Sequence, residues 1–531
     1  MLKCTINGVQ LEVTPGKTII QAMTENAQRI AHYCWHPGLS IAGVCRLCMV
    51  EIQGNPRVQI ACNTTITEGM VINNTSEKVR EAVKWGLDFH LINHPLDCPV
   101  CDQAGECGLQ DQYMEYGQYD SEMAEKKQKK HKVVDLGPTV VLDSERCILC
   151  SRCVRFTDEV SKTNELGIFN RGDHAEIGTH AGKKLDNKYS LNTVDICPVG
   201  ALTSKDFRFK QRVWLLKNAD TICNGCSTGC NVKMYFNKEG LFRVKPVANP
   251  NVNGHWMCDE GRDTYKFVNV GHRLIKSTKF ANNSWHSEQH PGAAAKEVAK
   301  QLAAAKSEEL ALVLTGQHTV EEYEAIVSTF VNTYKNKNIY HWVNNVETME
   351  IFDGILLRGD KNPNTMGLVS VLKKHGISNK WADLAEGLKS KKIKTLMVAG
   401  PENTFVYPDL DQKIQLFTQA NHLIYLSSAN VSSLETYKGS NQITLIPLKT
   451  FIEKAGTFVN FSGRAQTFKK VTTVVSEALT LSEAAILFAG DNLVITPVNF
   501  EDLLTSENQR PDQVELERRA KNEFLFNRGP L

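Results

Sequence analysis

The stretch HPLDCPVCDQAGEC, residues 94–107, holds three cysteines and a histidine on a segment too rich in Asp, Gln and Gly to build a core of its own. Cys98 and Cys101 stand as a CxxC pair with Cys107 close behind. A four-iron cube needs one more ligand, and His94 sits four residues before Cys98. The set His94, Cys98, Cys101 and Cys107 therefore reads as a His1Cys3 [4Fe–4S] site, with a Cys3His zinc site as the alternative. An imidazole replaces one anionic thiolate by a neutral ligand, which predicts a raised reduction potential.

Further sets lie on either side. CILCSRC at 147–153 is followed by the Cys-Pro step of DICPVGAL at 195–202. A CxxCxxC run with a later Cys-Pro signals [4Fe–4S]. No second compact run lies nearby to exchange with, so Cys147, Cys150, Cys153 and Cys197 are assigned to one cube. Upstream, YCWHPGLSIAGVCRLCMVE at 33–51 and the remote Cys62 give Cys34, Cys45, Cys48 and Cys62. Four thiolates spaced in this way favour [2Fe–2S], with structural zinc as the alternative. His32 and His36 read as packing or surface residues. Downstream, TICNGCSTGC at 221–230 and Cys258 give Cys223, Cys226, Cys230 and Cys258, a third cube. Of 16 cysteines only Cys4 is left over, as a buried inert thiol.

The chain has 531 residues, enough for several domains. Its 61 basic and 59 acidic residues leave a net charge of +2, which argues against nucleic-acid binding through bulk charge. The start, MLKCTINGVQ, has no apolar stretch of the secretory kind, and no run nears the roughly 20 apolar residues that span a bilayer. Clustered cysteines then read as metal ligands in a reducing compartment. Several redox centres in one chain suit electron transfer better than stabilisation, because a chain this long needs no metal staples.

Residues 1–13 read as a hairpin around Asn7-Gly8, followed by a helix at IIQAMTENA. Residues 76–92 read as an amphipathic helix. The basic run 126–132 reads as a solvated linker. Beyond Cys258, the segments LALVLTG, IKTLMVAG and HLIYLSS alternate with helical stretches, which predicts α/β units on a parallel sheet. The expected division is 1–78, a [2Fe–2S] domain; 79–118, the His/Cys3 domain; 119–215, a second [4Fe–4S] domain; 216–272, a third; 273–500, an α/β domain; and 501–531, a tail. No G-x-G occurs in the chain, so neither a dinucleotide fingerprint nor a Walker loop is expected. No Ser/His/Asp or HExxH arrangement stands out, and no catalytic residue is assigned.

The four motifs in this order resemble the large iron–sulfur subunit family of respiratory complex I. That resemblance covers residues 1–262. EKAGTFVNFSGRAQ, residues 453–466, adds a weaker likeness to molybdopterin oxidoreductases. The resemblance implies a multidomain α+β and α/β fold: an N-terminal β-grasp ferredoxin-like domain, cysteine-rich [4Fe–4S] domains and a truncated molybdopterin-oxidoreductase-like domain. It implies one [2Fe–2S] and three [4Fe–4S] clusters on the residues named above. It also implies relay from an NADH/FMN subunit towards a two-cube ferredoxin-like subunit and quinone, coupled in the whole complex to proton translocation. The expected place is peripheral, on the cytoplasmic face of a bacterial inner membrane, with membrane contact only through partners. The fourth set resembles an off-pathway cluster of some bacterial members. In molybdenum formate dehydrogenases a lysine closely follows the last cysteine of such a set. Here Cys258-Asp259-Glu260-Gly261-Arg262 puts acids there, and no later cysteine could bind molybdenum. No molybdenum is therefore expected. The alternative is a subunit of a formate dehydrogenase or an NAD-linked hydrogenase.

Overall fold

The computed structural model describes residues 1–118, 120, 122–344 and 346–490. The expected tail, 501–531, and the end of the expected α/β domain lie outside these residues. The chain divides into two units, one from Met1 to Leu216 and one beginning at Lys217.

In the first unit, β1 (Leu2–Ile6) and β2 (Val9–Val13) form the expected hairpin. Asn7 and Gly8 both take positive φ, as its tight two-residue turn requires. Helix α1 (Ile19–Glu25) turns Ile19, Ile20, Ala22 and Met23 inward. Then come β3 (Met49–Ile52), β4 (Gln59–Ile60) and β5 (Val71–Asn73). The sheet order is β2-β1-β5-β3-β4, with β1 and β5 parallel. Ile6, Val13, Val50 and Ile72 join Cys4 in the core beneath it, so the spare thiol is a packing residue.

Helix α2 (Glu77–Leu91) starts at Ser76, whose hydroxyl caps Val79 N–H, and buries Val79, Val83 and Leu87. Helix α3 (Gly108–Tyr116) follows directly after Cys107. Strands β6 (Val134–Asp135) and β7 (Val140–Leu142) lead to α4 (Arg152–Glu159). The hairpin β8 (Leu166–Phe169) and β9 (Glu176–Thr179) comes next, and β10 (Leu202–Ser204) pairs with β7. One core draws residues from Ala31 to Leu202, so the three cysteine-bearing segments of this unit pack as one body.

The basic run is not a free linker. Lys127 Nζ donates to the Leu91 carbonyl at the end of α2 (2.6 Å), and Lys130 Nζ donates to the Ala175 carbonyl (2.5 Å). Lys132 bridges Asp97 (2.7 Å) and Glu145 (2.6 Å). Its charges meet anions and carbonyls far away in sequence, a pairing that composition does not encode.

The second unit opens with the antiparallel sheet β11 (Lys217–Ile222), β12 (Asn231–Asn237) and β13 (Gly240–Pro246). A hairpin, β14 (Ser277–Ala281) and β15 (Ser284–Gln289), then joins the edge of a seven-stranded sheet. Its parallel strands are β16 (Leu310–Thr315), β17 (Ile339–Trp342), β18 (Thr395–Ala399), β19 (His422–Ser427) and β20 (Gln442–Pro447). The order is β15-β14-β20-β19-β18-β16-β17, so the winding reverses between β16 and β18. Along β16, Leu310, Leu312 and Leu314 enter one core, and Ala311 and Val313 enter the other. A strand covered on both faces is apolar throughout, as LALVLTG is. The hairpin β21 (Gly456–Val459) and β22 (Ala465–Phe468) carries the EKAGTFVNFSGRAQ stretch.

Candidate metal centres

The first set forms where the loop before β3 folds back on the turn after β4. Cys34, Cys45, Cys48 and Cys62 are all at most 5% exposed. Cys34 Sγ and Cys45 Sγ stand 3.4 Å apart, far beyond a disulfide bond, and Tyr33 N–H points at Cys45 Sγ (3.4 Å). A hydrogen bond from Cys45, aided by the charge of Arg155, pulls the Cys34 thiol down to about 5. Cys48 meets Cys62 in the same way, and Cys62 is lowered by that bond. Arg46, in the left-handed region, turns the chain between Cys45 and Cys48. His32 stacks edge-on against Trp35, and His36 accepts from Gly38 N–H; both are packing and turn residues.

His94, Cys98, Cys101 and Cys107 line one cavity of about 380 Å³ in the first unit. His94 Nδ1 is buried with no hydrogen-bond partner. Burial pushes the imidazole down to about 4, so the ring is neutral and able to ligate. Gly200 closes the cavity: a Cβ there would stand 2.3 Å from Cys101 Sγ. Arg146 also lines it, held by Asp97 (3.1 Å) and Asp143 (3.2 Å). Lys132 and Arg146 both reach Asp97, which fixes the loop between His94 and Cys98.

Cys147, Cys150, Cys153 and Cys197 line a smaller, apolar-walled cavity of about 20 Å³. Leu149 and Ser151, both left-handed, wind the CxxCxxC loop around it, and Leu149 N–H points at Cys147 Sγ (3.4 Å). Burial pushes the Cys147 and Cys150 thiols up to about 12 and about 11. This set touches both of the others. Pro198 carbonyl, beside Cys197, accepts from Gly108 N–H, beside Cys107 (2.9 Å). On the other side Arg152 Nη2 donates to the carbonyl of Trp35, beside Cys34 (2.5 Å). The third set therefore adjoins both of the others.

The fourth set lies in the second unit, where Cys223, Cys226, Cys230 and Cys258 are each buried. Cys223 N–H bonds to Cys230 carbonyl (2.8 Å). Gly225 and Gly261 N–H groups point at Cys223 Sγ (3.4 Å) and Cys258 Sγ (3.3 Å). Burial pushes Cys223 up to about 12. Three contacts escape sequence reading. Lys361 reaches Glu260 (2.5 Å), so a lysine distant in the chain brings positive charge beside the acids after Cys258. The β21–β22 hairpin clasps the ligand loop: Phe461 N–H donates to Ser227 carbonyl (2.9 Å), and Gln466 Nε2 donates to Gly229 carbonyl (2.9 Å).

At the carboxyl ends of β16 and β18, where a doubly wound sheet holds its ligand, side chains fill the space. His318, Glu322 and Glu402 bring ligand atoms within 4.8 Å of one another. Lys454 Nζ already lies 2.6 Å from a carboxylate oxygen of each glutamate, so the cation at this point is the protein's own. Gln317 is fully buried beside them and accepts from Asn403 N–H (2.8 Å). The sequence signal was Lys454 inside the quoted 453–466 stretch, but its partners lie more than fifty residues away.

The donor sets fit iron–sulfur clusters. Buried thiols pushed up by burial become thiolates only beside a strong cation. None of the cysteines is in a disulfide. The unpartnered His94 nitrogen faces burial without a donor or acceptor, and the missing side chain at Gly200 spares Cys101 Sγ a clash, so the second cavity suits an inserted group. Among the described residues, no helix is long and apolar enough to cross a membrane.

Four domain families match, in chain order. They are a 2Fe-2S iron-sulfur cluster binding domain (1–77), the NADH-ubiquinone oxidoreductase-G iron-sulfur binding region (86–122), the ferredoxin-like domain of NADH-quinone oxidoreductase subunit 3 (137–203) and the molybdopterin oxidoreductase Fe4S4 domain (216–270). The NADH-quinone oxidoreductase G subunit of Rickettsia conorii is 36% identical over 325 residues, covering 60% of this chain and 47% of that protein. The mitochondrial NADH dehydrogenase (ubiquinone) iron-sulfur protein 1 of Solanum tuberosum is 40% identical over 267 residues, covering 50% of this chain and 36% of that one. A chain in the crystal structure of an NAD+-reducing [NiFe]-hydrogenase matches 40% of this chain and 91% of its own length, at 29% identity and a TM-score of 0.37. The chain spans about half the length of the curated relatives it matches. In its ordered run of cluster-binding domains, the chain is similar over residues 1–270 to the large iron–sulfur (G) subunits of NADH-quinone oxidoreductases.

Proposed function

We propose that this chain is an electron-relay subunit of an NADH:quinone oxidoreductase. The observation that carries the reading is the packing of three donor sets against one another in the first unit, where residues beside the ligands of the third set bond to residues beside the ligands of the other two. In this reading Cys34, Cys45, Cys48 and Cys62 hold a [2Fe–2S] cluster. His94, Cys98, Cys101 and Cys107 hold a cube, Cys147, Cys150, Cys153 and Cys197 the next, and Cys223, Cys226, Cys230 and Cys258 a third. Bound clusters supply one-electron carriers whose potentials follow ligand charge, hydrogen bonds and burial. The chain's own residues hold them, space them and exclude water. His94 contributes a neutral ligand, and backbone N–H groups face Cys45, Cys147, Cys223 and Cys258.

The finer domain division read from the sequence belongs to this proposal. So do the partners, an NADH/FMN subunit and a two-cube ferredoxin-like subunit, and the peripheral place on the cytoplasmic side of a bacterial membrane. The fourth set serves its own unit, off the main route. The switch point of the α/β sheet, filled by Gln317, His318, Glu402 and Lys454, supports a domain that works without a pterin.

The deciding measurement is iron and acid-labile sulfide per chain, with zinc and molybdenum read from the same sample. One [2Fe–2S] and three [4Fe–4S] clusters predict about 14 iron and about 14 sulfide. Stoichiometric zinc with little iron after anaerobic reconstitution would refute the relay. Molybdenum would favour the formate dehydrogenase alternative.

A further inference from the structure

The loop of the third set runs directly into α4, and Ser151, in the left-handed region, is the residue just before that helix. Arg152 and Arg155 stand three apart, on one face of α4. Each guanidinium spans from the third set to the first. Arg155 Nη2 donates to the carbonyl of Cys34 and to the carbonyl of Cys150 (3.4 Å). Its Nη1 donates to Ser40 carbonyl and its Nε to Ser151 Oγ (3.2 Å). Arg152 repeats the pattern one turn earlier: Nη1 donates to the carbonyl of Ile196, beside Cys197 (3.1 Å), and Nη2 to that of Trp35, beside Cys34 (2.5 Å).

The hydrogen bonds of both guanidiniums go to neutral oxygens: backbone carbonyls and, for Arg155, the Ser151 hydroxyl. A partly buried cation held by neutral carbonyl and hydroxyl oxygens carries a desolvation cost that they only partly offset. The groups that balance it are thiols: Cys150, Cys197 and Cys34 all act on Arg152 against its burial. Once these thiols are thiolates around iron, two fixed cations stand between two anionic centres. A guanidinium suits this place. It stays charged and offers five N–H groups in a rigid fork, whereas a lysine is a single flexible point charge.

We propose that Arg155, seconded by Arg152, is the bridge between the first and third clusters: it positions their ligand loops against each other and raises the reduction potential of the first cluster through its charge. This rests on the cluster assignment proposed above.

The test uses the full chain, reconstituted anaerobically with iron and sulfide, with each centre followed by EPR during a potentiometric titration. Arg155→Gln removes the charge and keeps part of the hydrogen bonding. The expected result is retained iron with the first centre titrating at a more negative potential, while the fourth, in the other unit, stays put. Retained iron with an unmoved first centre would overturn the proposal. Should Arg155→Gln lose the first centre, Arg155→Lys decides: recovery of the signal supports a role for the charge, and continued loss overturns it. A wild-type chain that shows no [2Fe–2S] signal would instead sink the cluster assignment itself.

Discussion

Gly200 offers the sharpest steric handle on the second centre. A methyl group at this position would come within 2.3 Å of Cys101 Sγ and 3.0 Å of Gln103 Cβ. Ordinary carbon contacts need about 3.5–4.0 Å, so Cys101 must retreat by more than about 1 Å or the Cys197-Pro198 turn must shift. The turn is pinned, since Pro198 carbonyl holds Gly108 N–H at 2.9 Å. Overpacking of this kind costs roughly 1–3 kcal/mol. A donor site tolerates only about 0.5 Å of misplacement before its geometry fails. Gly200→Ala should therefore fold, keep the first, third and fourth centres, and lose the second. Iron should fall from about 14 to about 10 per chain, the difference being one cube, and one EPR species should vanish selectively. Full iron with an unchanged spectrum would mean that Cys101 does not face the cluster from this side. Global unfolding would mean that the turn carries far more of the packing than the single close contact implies.

His94→Cys should keep four iron atoms in the second centre and lower its potential, because an anionic thiolate replaces a neutral imidazole; an unshifted EPR titration would exclude His94 as a ligand. Cys226→Ser should remove or weaken the fourth centre and leave NADH-to-quinone turnover intact in an assembled complex; a large loss of turnover with assembly verified would place that centre on the main route. Burial, with Glu322 adding to it, raises Glu402 to about 7 against the opposing pull of Lys454. The stability Glu402 contributes is then present below about pH 4.5 and lost as pH rises through about 7. At roughly 1.4 kcal/mol per unit of separation, Glu402→Gln should gain up to about 3 kcal/mol on wild type as pH climbs across that window. Denaturation midpoints of the two proteins that stay parallel in pH would refute this.

How much of this was legible in the sequence differs by region, for a physical reason. A CxxC pair announces itself because both ligands sit on one tight loop, and the alternation of α/β elements shows in runs such as LALVLTG because each strand is covered on both faces. The parallel sheet was therefore readable from residues 310–428, although the short β17 and the antiparallel β14–β15 edge were not. What sequence could not reveal is the set of long-range polar contacts that give the ligand loops their surroundings. Lys132 sits in a run that looks like solvated linker, yet it bridges Asp97 and Glu145 beside two ligand sets.

The same limit explains the α/β half. Lys454 lies in the stretch that carries the weaker likeness to molybdopterin oxidoreductases. Its ammonium is fixed between Glu322 and Glu402, which the reversal of strand order brings to one point. A buried lysine is stable there only because both carboxylates and the neutral His318 surround it. Displacing it to admit a phosphate or a pterin would leave two carboxylates buried without their cation. The hairpin that follows Lys454 also clasps the fourth ligand loop through Phe461 and Gln466. One short stretch thus serves two places in the second unit: its lysine neutralises the carboxylates at the strand-order reversal, and its hairpin holds the loop of the fourth donor set.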